Sequence, residues 1–299
     1  MIKLITINNE LSLEDYIKVG HTTSRIRPFH PAEVRLRIYP LSTEITEDFL
    51  IEFTLHNKRV MTMGSSLDQL FSYALLGSTD ITIMDANNLT IPFFYMKLAA
   101  LKVLSREEFI AFFYNDISEK KSSRFLDKEI YLKFKNNIPD KYRSFWDNMY
   151  NEGIINRLFH FYPSAADGML PYYLSSDETY EYVRSIIDDI TINITITDLS
   201  KFSNYLNDEY NLIDLSNVYT YVEKKKYWDA VNNLGNFLSV DGIFKLHYME
   251  KNSIDEDEFD LLGKKSEYLP IKNINNGFII WYNDERCYKE FHKSVPILK

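Results

Sequence analysis

The sequence predicts an α/β protein built on an open, mostly parallel sheet of about seven strands. The first observation is that short runs rich in β-branched residues alternate with amphipathic helical segments, a rhythm typical of parallel sheets. The second is a glycine, Gly64, directly after one such run, with an acid, Asp85, 21 residues further on, where the next run ends. This spacing is close to the offset between the glycine turn and the ribose-binding acid of Rossmann-type units.

Residues 1–57 are predicted to pack as a cap over a main domain that spans residues 58–299. The segment is mixed in pattern and contains a basic, proline-punctuated stretch at residues 25–40. Internal repeats and low-complexity stretches are not visible anywhere in the sequence.

The first predicted strand–helix–strand unit consists of two short β-rich runs, Lys58–Met63 and Asp80–Met84, joined by an amphipathic helix. Ser66 and Gln69 have the spacing of a capping box at the start of that helix. Gly77 is placed to end the helix as its C′ residue.

Helical signals continue beyond the second strand. Pro92 suits the first turn of a helix that runs to Lys102. Ser105 and Glu108 form another capping-box pattern, and aromatic residues recur up to residue 188 without a good parallel strand. We therefore predict a helical insertion at residues 104–188, between the second and third strands of the sheet.

The alternation of strands and helices resumes at residue 190. The later predicted elements are strands at residues 190–198, 210–218, 242–248 and 276–282 and a helix at residues 228–238. The dipeptide Asp241-Gly242 predicts a turn before the fifth strand. Ligands of open parallel sheets bind beyond the carboxyl ends of the strands, where the strand order reverses. Polar residues at those strand ends are therefore the candidate site.

Composition argues against several classes of function. The 299 residues are 45% hydrophobic and 26% charged, which is ordinary for a globular protein, and the net charge of −9 argues against nucleic acid or an anionic membrane as the main partner. The single cysteine, Cys287, and six histidines without metal-ligand spacing predict no metal site. The chain shows neither a signal peptide nor a run that could span a bilayer, so we expect a cytoplasmic protein without a transmembrane segment.

Gly64 stands alone before the first helix, and a dinucleotide fingerprint needs further glycines to admit a pyrophosphate. A ligand with a ribose but no phosphate needs fewer glycines in this loop, and S-adenosyl-L-methionine (SAM) is such a ligand. The alternative is an ordinary strand–helix–strand unit in which Gly64 only makes a turn.

Three acids fall at or near predicted strand ends: Asp85, Asp198 and, inside its strand, Asp214. An acid after the second strand can bind ribose hydroxyls, and one after the third can accept from an adenine amino group. The alternative is that each acid caps the following helix. Ser216 and Asn217 follow the fourth strand and could hold a polar substrate or the methionine moiety, unless they only make a turn.

Several motifs taken together resemble those of one family. They are Val60–Gln69, Leu76–Asn87, Lys97–Lys102, Leu104–Phe109 and Ile213–Val218, within roughly residues 58–250. They resemble the bacterial family of class I SAM-dependent methyltransferase-like proteins related to the betaine-lipid synthase transferases. In that family the first loop typically reads Ser-Gly-Asp-(Gln/His), the second strand ends Asp-x-Asn, and a later strand ends Leu-Ser-Asn-(Val/Ile).

This resemblance implies a Rossmann-like class I methyltransferase sheet that binds SAM. The implied site residues are Gly64, Ser65, Ser66 and Asp68 on the methionine side, Asp85 and Asn87 at the ribose, Asp198 and Leu199 at the adenine, and Ser216, Asn217 and Tyr219 as candidate catalytic residues near the sulfonium. The relatives in betaine-lipid synthesis transfer the 3-amino-3-carboxypropyl group of SAM rather than its methyl group.

One residue departs from the family pattern. Leu67 replaces the usual glycine of the first loop. If that position requires a positive φ, leucine costs on the order of 1–2 kcal/mol.

Two functional hypotheses follow. The leading one is a SAM-dependent transferase that moves a methyl or 3-amino-3-carboxypropyl group to a small polar or lipid-like acceptor. The second, motivated by Leu67, is a catalytically silent SAM- or nucleoside-binding module with a regulatory or partner-binding role. The acceptor, the general base and the choice between monomer and homo-oligomer stay open.

Overall fold

The structure is a computed structural model that describes residues 2–6, 38–42, 55–114, 124–159, 170–216, 218–247 and 278–282. It contains a seven-stranded sheet in the order β1-β4-β3-β2-β5-β6-β7, in which every neighbouring pair is parallel. The strands are β1 Ile2–Thr6, β2 Arg59–Met63, β3 Asp80–Asp85, β4 Thr191–Ile196, β5 Tyr210–Asp214, β6 Leu238–His247 and β7 Phe278–Tyr282. The predicted parallel α/β class is confirmed, and the sheet is Rossmann-like.

Helices connect these strands on both faces of the sheet. The α-helices are α1 Asp68–Leu75, α2 Thr90–Val103, α3 Arg106–Phe113, α4 Lys128–Phe134, α5 Asp140–Asn151, α6 Asp177–Ile186 and α7 Lys224–Gly235. Short 3-10 helices lie at Lys135–Asn137, Ile155–Leu158, Tyr172–Leu174, Leu199–Tyr205 and Val218–Tyr221. The described residues between β3 and β4 are thus mainly helical, as the aromatic spacing indicated.

The strand order reverses at β2. From β2 the chain continues through α1 to β3 on one side, whereas β5 pairs with the other side of β2. Helices α1 and α7 then cover opposite faces, since their buried residues belong to different hydrophobic clusters. The crevice beyond the carboxyl ends of β2 and β5 is therefore the topological switch point, the usual ligand site of such a sheet.

Each face of the sheet has its own core. Val60, Ile83 and Leu212 point into a large cluster with α1, α2 and the aromatic residues of α3–α6. Met61 and Ile213, which alternate with them along the same strands, enter a smaller cluster with α7 and the 3-10 helix Leu199–Tyr205. Burial on both faces explains why the strands are almost continuously apolar.

The helix after β2 begins differently from the prediction. The predicted capping box of Ser66 and Gln69 is wrong: α1 begins at Asp68, its N-cap Leu67 makes no side-chain cap, and Ser66 Oγ accepts the Asp68 N–H at 3.3 Å. Gly77, in contrast, has φ +95° and follows the C-cap as predicted. The backbone bonds from its N–H and from the next residue to α1 carbonyls form a Schellman motif.

Two other elements were not anticipated. Ile2–Thr6, inside the segment assigned to a cap, forms the edge strand β1 beside β4. Asp241 and Gly242 lie within β6 rather than in a turn before it, and the pairing of β5 with β6 shifts register between Tyr210 and Leu212. An irregularity of the β-bulge kind in the β5–β6 pairing therefore lies where the sequence predicted a turn.

Candidate functional site

Parallel pairing brings the predicted site residues to one edge of the sheet. Met63 pairs with Met84, Asp85 with Ile196, and Thr62 with Asp214. Gly64, Asp85, Asp198 and Ser216 therefore all follow or end strands at the carboxyl edge around the switch point. Asn217 lies outside the described residues, and Tyr219 belongs to the 3-10 helix Val218–Tyr221.

The loop after β2 is a tight turn with unusual backbone angles. The Gly64 N–H donates to the Met84 carbonyl at 2.9 Å, and the Leu67 N–H donates back to the Gly64 carbonyl at 2.7 Å. Ser65 and Leu67 have φ values of +32° and +66°. A Cβ on Gly64 would lie 2.5 Å from Asp85 Oδ2, so a larger residue would displace the Asp85 side chain. The group that closely approaches Gly64 is the Asp85 carboxylate of the protein itself.

Asp85 ties the ends of β2 and β3 together. Its Oδ2 accepts the Ser65 N–H at 3.0 Å and the Thr90 hydroxyl at 2.8 Å, and its Oδ1 accepts the Asn87 N–H at 2.9 Å. Burial raises the pKa of this carboxyl, and the hydrogen bonds from Asn87, Thr90 and Ser65 oppose that rise. A ribose hydroxyl would have to compete with these donors for the same oxygens.

Asp68, predicted to face the methionine side, is buried in an ionic cluster. Its Oδ1 accepts from Lys97 Nζ at 2.5 Å and from the Tyr173 hydroxyl at 2.6 Å, and its Oδ2 accepts the Ser42 N–H at 2.5 Å. Lys97 Nζ also donates to the Ser66 carbonyl at 2.7 Å and to the Pro40 carbonyl at 3.0 Å. All three ammonium donors are therefore used. Desolvation lowers the pKa of Lys97, and the Asp68 charge opposes that effect.

A second ionic cluster lies behind the loop after β5. Asp214 ends β5 and accepts from Lys245 Nζ at 2.9 Å, and both side chains are fully buried. Its carboxylate also accepts the Tyr73 hydroxyl of α1, and its Oδ1 accepts the Ser216 N–H at 2.8 Å. Ser216 has φ +50°. Asp214 thus holds the backbone of the loop in which the candidate catalytic residue Ser216 lies.

The remaining predicted residues have local roles. Asp198 is the N-cap of the 3-10 helix Leu199–Tyr205, and its Oδ1 accepts the Ser200 N–H at 3.1 Å. Leu199 is buried in the smaller core. Asn87 is buried and its Oδ1 accepts the Leu89 N–H at 3.0 Å before α2. The capping alternative considered for Asp198 is therefore present in the structure.

Sequence reasoning missed both lysines and both tyrosines of the ionic clusters. A signal was available, because Lys97 lies in a helix that is otherwise apolar and Lys245 interrupts an apolar strand. A lone lysine in such a run must find a buried partner or leave the core. The identity of the partners, Asp68 and Asp214, depends on tertiary contacts over 29 and 31 residues.

The described residues contain no group of three or more His, Cys, Asp or Glu side chains arranged to hold a metal ion. None of the helices in the described ranges combines the length and the apolarity needed to cross a lipid bilayer. Compared with models of known families and with curated proteins, the chain matches neither a family model nor a curated sequence.

The arrangement offers polar backbone and side-chain groups from four strand ends at one edge of the sheet, and buried ion pairs hold the loops after β2 and β5. Such a site can bind and orient a polar ligand, because the loops are fixed before the ligand arrives. Binding and positioning of a polar ligand are the capacities that this geometry supports.

Replacing Leu67 tests the backbone strain of the loop. We expect Leu67→Gly to be more stable than Leu67→Ala by about 0.5–1 kcal/mol, because glycine relieves the left-handed conformation that alanine retains. At Leu70, which is buried inside α1, the same pair should show the ordinary order, with alanine the more stable. Urea unfolding measures both pairs. If the glycine and alanine variants ranked in the same order of stability at both positions, the result would contradict backbone strain at Leu67.

The Lys97–Asp68 pair is expected to contribute strongly to folding. Lys97→Met leaves a buried carboxylate without its counter-charge and should cost about 3–5 kcal/mol of unfolding free energy. The control is Lys102→Met on the same helix, whose pair with Asp188 is partly exposed and should contribute about 0–1 kcal/mol. Chemical unfolding of both variants checks the difference. Similar losses in the two variants would show that burial of the first pair has no special effect.

The raised pKa of Asp85 predicts a pH dependence of stability. The contribution of Asp85 to the free energy of unfolding is complete below the unfolded-state pKa of about 3.9. It is lost as the pH rises through the higher folded-state pKa. The unfolding free energy of the wild type minus that of Asp85→Asn should therefore fall as the pH rises above about 4. The fall is about 1.4 kcal/mol for each unit of the pKa rise. Urea unfolding at several pH values measures it, and a pH-independent difference would contradict the shift.

Proposed function

We propose that the protein is a SAM-dependent transferase of the class I methyltransferase type. It moves a methyl or a 3-amino-3-carboxypropyl group to a small polar or lipid-like acceptor. The observation that carries the proposal is the meeting of the Gly64 turn with Asp85 beside the switch point of a parallel Rossmann-like sheet. In open sheets, this is where nucleoside-containing ligands bind.

The residues present fit an adenosyl ligand, provided that the ligand replaces one of the protein's own donors at Asp85 Oδ2. Strand ends supply groups in the order that such a ligand needs: the Gly64 turn for the methionine side, Asp85 for the ribose and Asp198 for the adenine. Both acids already accept from the protein's own backbone. In the proposal, a ribose hydroxyl takes the place of the Thr90 hydroxyl or the Ser65 N–H at Asp85 Oδ2 when the ligand binds.

SAM would supply an electrophilic carbon beside a sulfonium, for either of the two transfers. The protein's own task is then to orient the acceptor in line with that carbon and to exclude water. Ser216 is suited to this task, because Asp214 and Lys245 hold its loop from behind. The fixed backbone places the Ser216 hydroxyl in a set position at the carboxyl edge of β5.

A second candidate is a catalytically silent SAM- or nucleoside-binding module. Two observations favour it. Leu67 places a buried, bulky side chain in a left-handed position where the resembling family has glycine. The Asp85 oxygens are also already engaged by protein donors. Both features reduce the ease with which the loop could rearrange around a reacting ligand.

Isothermal titration calorimetry with SAM and with S-adenosylhomocysteine tests the shared part of both candidates. We expect heat of binding in the wild type and a loss of affinity of about tenfold or more in Asp85→Ala, since its carboxylate organises the loop and the ribose contact. Asp80→Ala is the matched control, because Asp80 begins the same strand at the opposite edge of the sheet. Absence of heat at millimolar ligand, or equal effects of the two variants, would contradict the proposal.

Product analysis separates the two candidates. The wild type is incubated with SAM and a small-molecule extract, and nucleoside products are measured by mass spectrometry. S-adenosylhomocysteine indicates methyl transfer, and methylthioadenosine indicates aminocarboxypropyl transfer. Binding without either product favours the silent module.

A further inference from the structure

Residues 38–42 lie across the candidate site and contact elements from both of its sides. Ile38 and Leu41 are buried in the larger core, so the segment is anchored by side chains as well as by its backbone. Its polar contacts include the Ile38 N–H to the Leu158 carbonyl at 2.9 Å, the Tyr39 hydroxyl with the Tyr221 hydroxyl at 2.9 Å, the Pro40 carbonyl from Lys97 Nζ at 3.0 Å, and the Ser42 N–H to Asp68 Oδ2 at 2.5 Å.

These partners belong to opposite faces of the sheet. Asp68 begins α1 and Lys97 lies in α2, and both helices pack on the face of the larger core. Tyr221 ends the 3-10 helix that leads from β5 into α7, which packs on the other face. The segment therefore links the start of α1 with the 3-10 helix after β5 near the carboxyl edge of β2 and β5, and the Tyr39 side chain makes the contact on the β5 side.

The two ends of this crossing differ in chemistry. At one end the contacts are charge-assisted, because the segment bonds the buried side chains of Asp68 and Lys97. At the other end a neutral hydrogen bond joins the partly buried hydroxyls of Tyr39 and Tyr221. Neutral hydrogen bonds are weaker than charge-assisted ones. The Tyr39–Tyr221 hydrogen bond is therefore the weaker of these two kinds of contact.

We propose that residues 38–42 form a strap that encloses the ligand at the switch point, with Asp68 and Lys97 as its anchor and the Tyr39–Tyr221 pair as its catch. Enclosure under the strap rests on the proposed function, whereas the strap and its catch can be tested without a ligand. Lys97 is then a positioning residue, since it joins the strap to the Ser66 carbonyl of the ligand loop.

Hydrogen exchange of the free protein tests the catch. Tyr39→Phe and Tyr221→Phe each remove the same hydrogen bond and keep both rings. We expect exchange in peptides that contain residues 38–42 and 218–221 to rise about two- to tenfold in either variant. The double variant should exchange no faster than the single ones, because the bond is already lost. Tyr150→Phe is the matched control, since its hydroxyl bonds the Leu126 carbonyl within the inserted helices.

Ligand kinetics test the enclosure. The dissociation rate of S-adenosylhomocysteine, measured by surface plasmon resonance, should rise about two- to tenfold in Tyr39→Phe and in Tyr221→Phe, with no change in Tyr150→Phe. Thermal melting should leave all three variants close to the wild type. A rise of the dissociation rate together with a matching fall in melting temperature would indicate general destabilisation and would overturn the catch.

The two proposals fail in different ways. If the wild type binds neither SAM nor its product, the proposed function fails, and the exchange comparison still decides whether the catch exists. If the ligand binds but the tyrosine variants match the control in exchange and in dissociation, the strap fails and the function stands. Additive effects of Tyr39→Phe and Tyr221→Phe would also overturn the strap, because independent contacts would then be responsible.

Discussion

The buried pair of Lys97 and Asp68 is the interaction on which the rest of the candidate site depends. A charge removed from water destabilises the fold unless every donor and acceptor is used. Lys97 meets this condition by bonding Asp68, Ser66 and Pro40. One ammonium group therefore determines where the ligand loop, the first helix after it and residues 38–42 meet.

A second buried cluster of the same composition lies behind the loop after β5. Asp214 bonds Lys245, Tyr73 and the Ser216 backbone, as Asp68 bonds Lys97, Tyr173 and the Ser42 backbone. Each loop beside the switch point is thus supported by a carboxylate, a lysine and a tyrosine that lie within the protein. Low dielectric strengthens these bonds once they are complete, which allows positive-φ residues to persist in both loops.

The local signals in the sequence were sufficient for the sheet class and for the positions of Gly64, Gly77 and Asp85. Each of these depends on neighbours within a few residues or on the alternation of one strand. The start of α1 was mispredicted because the Leu67 N-cap replaces the side-chain cap that the Ser66 and Gln69 spacing suggested. The ionic clusters were missed because their partners meet only in the folded chain. Asp68 and Tyr173, for example, are 105 residues apart.

The long sequence separation between β1 and its partner β4 affects the order in which the sheet can form. The residues of β1 are synthesised long before their partners, residues 192–196. Until those residues are synthesised, the backbone groups of β1 lack their final partners. Once β4 forms, the edge of β4 that β1 covers in the final sheet is open to pairing with other molecules. Docking of β1 covers the edge of β4 and makes β1 the edge strand, so this contact of long sequence separation is expected to be a late step in the folding of the sheet.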